Sequence, residues 1–119
     1  MNKAPDDRRL DLLQGTLNML ILRTLQCGPQ HGHRIGQAIR ERSDELLKIE
    51  TGSLYPALHR LEKRGWLEAE WRISEANKRA KYYQLSADGK AQLSREQDRW
   101  SQLVDAIGRV MKPVPAGEE

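Results

Sequence analysis

The chain of 119 residues holds a single cysteine, Cys27, so no internal disulfide framework can form. That usage suits a reducing compartment, and the cytoplasm is the expected location. There is no run of 18 apolar residues, which excludes a helical membrane span. Met1–Leu10 is polar and lacks the apolar stretch of a secretory signal. No glycine-rich phosphate loop, no nucleophile elbow and no cluster of carboxylates on one face is present, so no enzyme is expected. Cys27, His31 and His33 stand as C-x3-H-x-H, which matches no standard zinc spacing and lacks a fourth ligand. Neither metal nor cofactor is expected there, and Cys27 reads as a buried, inert residue at a helix end.

What is present suffices for one modest core. Apolar residues are 38% and charged residues 31% of the chain, with mean hydropathy −0.77 and net charge +3. The excess charge is concentrated. Between Thr51 and Leu85 lie seven bases (Arg60, Lys63, Arg64, Arg72, Lys78, Arg79, Lys81) and four acids (Glu62, Glu68, Glu70, Glu75), a local balance of +3. A surface of that kind attracts a polyanion, although from charge alone a solvated face is the more common reading.

The apolar spacing predicts the order of elements. Asp11–Gln26 is dense in leucine at helical spacing, and Cys27-Gly28-Pro29 stops it. A second helix spans Gly32–Arg42 with Ile35 and Ile39 inward. A third, with Thr51 as candidate N-cap, turns Leu54, Leu58 and Leu61 inward and ends before Gly65. Trp66–Ile73 alternates as a half-buried strand, Ser74–Ala80 is a basic loop, and Lys81–Leu85 is a second strand. Ser86 caps a last helix over Ala87–Met111, in which Leu93, Trp100 and Ile107, and again Leu103 and Val110, recur every seven residues.

Three helices, a hairpin and a long helix make a mostly α fold, a winged helix-turn-helix with one long C-terminal dimerisation helix. The expected organisation is a flexible arm over 1–10, the winged domain over 11–86, the dimerisation helix over 87–112 and a disordered tail over 113–119. In such a fold the third helix enters the major groove and the hairpin flanks it. Ser53, Tyr55, Pro56 and His59 are then candidate base contacts, and Arg60, Lys63, Lys78, Arg79 and Lys81 candidate phosphate contacts. Winged helices also serve as protein-interaction adaptors, so the element order leaves that reading open. A small-molecule-binding dimer with incidental DNA affinity stays open too.

Thr51–Leu67 (TGSLYPALHRLEKRGWL) resembles the recognition-helix segment of the PadR family of transcriptional regulators, and Lys81–Gly89 (KYYQLSADG) resembles its wing-strand signature. Leu13–Leu17 and Gly28–His33 are similar to its first helix and first turn. Departures are few: Ser86 stands where Thr is usual, His33 where an aromatic is common, and Glu50-Thr51 where Ser-Pro often opens the helix. The resemblance covers about Leu12 to Met111 and fits the short subgroup with one terminal helix. It implies a homodimer on pseudo-palindromic double-stranded promoter DNA, most often as a repressor. The candidate dimer interface is Leu13, Leu17, Leu93, Trp100, Leu103, Ile107 and Val110. In drug-sensing members a Trp at the place of Trp100 stacks flat aromatic effectors; here Trp100 reads either so or as interface packing.

Overall fold

A computed structural model of the chain describes residues 14–117. The elements are α1 (Gln14–Leu25), β1 (Gln30–His31), α2 (Gly32–Arg42), α3 (Thr51–Lys63), β2 (Leu67–Ile73), β3 (Arg79–Leu85) and α4 (Ala87–Met111). Leu13 and the 1–10 arm lie outside the described residues.

Local chemistry sets most boundaries. α3 ends where Gly65 takes φ +80, which lets Trp66 N–H reach the Leu61 carbonyl (3.0 Å) and Gly65 N–H the Glu62 carbonyl (2.9 Å). α2 ends by the same device without glycine: Asp44 and Glu45 both hold positive φ, and Glu45 N–H reaches the Arg40 carbonyl at 2.9 Å. Ser86 caps α4 as expected, its Oγ accepting from Gly89 N–H at 3.0 Å. Thr51 does not cap α3. It is the first helical residue, and the Glu50 carbonyl closes the turn by accepting from Ser53 and Leu54 N–H, both at 2.9 Å. His31, assigned no structural task by its spacing, caps α2 through Nδ1, which accepts from Arg34 N–H at 3.2 Å.

The sheet is antiparallel and three-stranded in the order β1-β3-β2. The hairpin joins β2 to β3 in continuous register from Leu67↔Leu85 to Ile73↔Arg79. β1 is an addition that periodicity could not reveal: two residues carry no period, and they become a strand by pairing Gln30 with Tyr83 and His31 with Tyr82.

The core gathers Ile21, Leu22 and Leu25 of α1, Ile35 of α2, Leu54, Leu58 and Leu61 of α3, and Leu67, Tyr83 and Leu85 of the sheet. Leu17 and Leu93 also belong to it, at 5% and 2% exposure. Both were expected at the dimer interface; the crossing of α1 with the start of α4 places them in the protomer's own core instead. Cys27 is corrected as well: it is exposed, because the chain leaves α1 toward solvent through Gly28. The outer half of β2 departs from the half-buried expectation. Leu67 is buried, but Trp71 and Ile73 are exposed, since the hairpin runs out past the core. α4 does the same: past Leu93 only Glu96 is partly covered.

Candidate nucleic-acid interface

α3 is amphipathic about a sharp boundary. Leu54, Ala57, Leu58 and Leu61 are buried, while Ser53, Tyr55, Pro56, His59 and Lys63 are exposed and Arg60 is partly covered. The inner row anchors the helix, so the outer row is presented on a rigid support. Pro56 sits in the second turn and lacks the N–H that would bond the Gly52 carbonyl. That carbonyl belongs to an exposed residue.

Tyr55 is held from the side. Its ring lies against the backbone of Gly32, where a β-carbon would stand 2.6 Å from Cε1. Any larger residue at position 32 displaces the ring, so Gly32 supports the candidate site in a way that spacing does not reveal; the requirement arises only when α2 and α3 meet. Beside Tyr55 a groove of about 450 Å3 opens between α2 and α3, with His33, Arg40, Lys48 and Thr51 on its walls. Sequence reasoning also missed these cations, because Lys48 sits in a connector and Arg40 on the wet face of α2. Arg40 is paired with Glu45 at 3.0 Å.

The wing brings three expected phosphate contacts to one strand end, and the structure treats them differently. Lys78 and Arg79 are exposed. Arg79 lays its guanidinium over the Trp71 ring, 4.7 Å from the centroid, which orders a long side chain without consuming its charge. Lys81 is engaged: its Nζ donates to Glu62 Oε1 of α3 at 2.9 Å. The Glu62 carboxylate holds the Lys81 ammonium above the usual lysine range. Burial pushes the neighbouring Tyr83 phenol up as well. On the other face of the hairpin Arg72 pairs with Glu70 and covers Tyr82, so that face is largely self-neutralised.

Trp100, Leu103, Val104, Ile107, Val110 and Met111 form an exposed apolar stripe along α4, each between 45% and 81% accessible. Cys27, His31 and His33 do not assemble into a ligand cluster; His31 and His33 rings stack 6.4 Å apart instead. Among the described residues no helix is long and apolar enough to cross a membrane.

Comparison with known proteins decides the family. Residues 21–95 match the transcriptional regulator PadR-like family. The chain belongs to the PadR family. An uncharacterized protein of Lysinibacillus sphaericus is 33% identical over 105 residues, 87% of this chain and 95% of that one. Among solved structures, a transcriptional regulator from Clostridium thermocellum superposes with TM-score 0.77 at 30% identity, over 83% of this chain and 96% of that chain. A PadR family transcriptional regulator from Eggerthella lenta gives 0.73 at 31%, over 85% and 86%. As a PadR-family member this protein is a transcriptional regulator and not an enzyme. Its winged-helix architecture with a long terminal helix is that of its structural relatives.

Proposed function

We propose that this PadR-family regulator binds pseudo-palindromic promoter DNA as a homodimer and represses transcription by occupying the promoter, in the cytoplasm. Ser53, Tyr55, Pro56 and His59 read the major groove, and Arg60, Lys63, Lys78 and Arg79 hold phosphates. The observation that carries the reading is an open polar face on α3 together with Lys78 and Arg79 of the wing, which are exposed and for which no carboxylate partner is seen among the described residues. An adaptor that binds protein has no need of cations kept out of ion pairs.

Dimerisation accounts for the second feature, the stripe on α4. A continuous apolar surface of that length is rarely left in water, and a two-fold related copy covers it with the same residues. Two α3 helices about one DNA turn, about 34 Å, apart would then meet successive half-sites. In this reading Trp100 is interface packing; a flat aromatic effector stacking there would show as saturable quenching that is absent in Trp100→Phe.

Selection of genomic fragments by the purified protein at physiological salt tests the function. A small set of fragments sharing an inverted repeat is expected. Retention of none, even at low salt, would leave the adaptor reading. Tyr55→Ala should lose discrimination between selected and scrambled fragments while keeping its fold.

A further inference from the structure

Lys81 differs from the other wing cations. Its side chain is 28% and that of Glu62 34% exposed, and the two charged groups stand 2.9 Å apart. Nineteen residues separate them, so the pair joins two elements and not two turns of one. Register places Lys81 directly opposite Trp71, on the hairpin face that Leu67, Tyr83 and Leu85 share with the core. Its Nζ lies 5.4 Å from the buried Tyr83 ring, so the side chain runs along that face toward the last turn of α3.

This position matters because packing ends there. Leu67 and Tyr83 fasten the base of the hairpin, but Trp71 and Ile73 are 57% and 66% exposed. At the edge of β3 that β2 leaves free, β1 pairs with Tyr82 and Tyr83, and the His31–Tyr82 edge contact, 5.4 Å between centroids, holds the hairpin from that side. The Lys81–Glu62 pair is thus a side-chain tie between the wing and α3 itself at the level where burial of the hairpin ends. Releasing Lys81 to a phosphate would also strand Glu62, a carboxylate adjacent to Lys63, against a polyanion.

We propose that Lys81 is a positioning residue: its pair with Glu62 sets the wing against the recognition helix so that both dock on one duplex, and Lys81 neutralises no phosphate. The inference rests on the DNA-binding reading above but assigns Lys81 a different role from Lys78 and Arg79. A surface pair adds little to folding, so its loss should be felt in binding and in the motion of the wing.

Two measurements on the full chain test it. The first is affinity for a selected fragment as a function of salt. Lys78→Ala, the phosphate control, should lower the log–log slope by about 0.9. Lys81→Met and Glu62→Gln should each weaken specific binding by about three- to tenfold with the slope unchanged, and the double variant should be no weaker than either. The exchanged pair, Lys81→Glu with Glu62→Lys, should recover most of the loss. A Lys81→Met slope reduced like that of Lys78→Ala, or a Glu62→Gln protein that binds as well as the original, overturns the proposal. The second is backbone amide relaxation in the free protein, which needs no DNA. Residues 74–80 should gain motion in Lys81→Met while the helices stay as ordered as before. Unchanged wing order overturns the proposal even if the unaltered protein retains no fragment, whereas that failure of binding by itself defeats only the DNA reading.

Discussion

Gly32 begins α2 facing the Tyr55 ring, and the absence of its side chain is what lets that ring lie where it does. Tyr55 is 37% exposed, so the ring can swing outward when crowded. Gly32→Ala should therefore cost little stability and lower discrimination between specific and scrambled DNA about tenfold, since one well-placed base contact is worth ~1–3 kcal/mol. Gel-shift titrations against both duplexes measure this; equal discrimination would remove the ring from the base contacts. Tyr83 and Lys81 supply the pH behaviour. Both are raised in the folded protein, Tyr83 first by burial and Lys81 first by its bond to Glu62. The unfolded chain therefore loses these protons first, and the folded state holds more of them. Their stabilisation is complete below about pH 10 and is lost as pH rises through the raised folded values. Urea midpoints should fall across that window and fall less in Tyr83→Phe; identical curves would mean that burial does not govern the phenol.

Elements meet at two tight places. One is the start of α4, where Ser86 N–H donates to the Trp66 carbonyl at 3.1 Å and Gly89 lies so close that a β-carbon would overlap the same oxygen. Backbone cannot step aside as a ring can. Gly89→Ala should destabilise by about 1–3 kcal/mol or more, the usual cost of overpacking, read from denaturant unfolding. A midpoint equal to that of the original would show that α4 is not locked to the base of the wing. The other is the hairpin, whose alternation is legible throughout β2 although burial stops at Ala69. Period two reports which face a residue takes, and how far the core extends beneath that face depends on α3 and α1.

At the scale of the whole molecule the shape is long, 65 × 36 × 23 Å, because α4 leaves the core after Leu93. The seven-residue spacing of Trp100 and Ile107, and of Leu103 and Val110, is now visible as one exposed stripe. Leu103→Glu combined with Ile107→Glu places like charges in the centre of a two-fold contact. Sedimentation at micromolar concentration should then give a monomer, with specific DNA binding lost and the α1–α3 core still folded by circular dichroism. A dimer mass for that variant would direct the search for the interface elsewhere.

Much of the fold and part of the candidate site are legible in the sequence alone. Caps and stops such as Ser86, Gly65 and Cys27-Gly28-Pro29 act within one or two turns, so they can be read along the chain. The inward rows of α2 and α3 follow from helical spacing in the same way, and the open face of α3 is their complement. Other features depend on residues far apart in sequence. Gln30-His31 becomes a strand only beside Tyr82 and Tyr83, Lys81 meets Glu62 only because the hairpin folds back over α3, and Gly32 is needed only where Tyr55 arrives. Leu93 carries the same seven-residue spacing as the stripe and Leu17 the helical leucine spacing of α1, yet packing of α1 on α4 buries these two and leaves the stripe in solvent. Periodicity specifies that a face is apolar; which neighbour covers it is settled when distant segments compete for that face, and no local rule contains that competition.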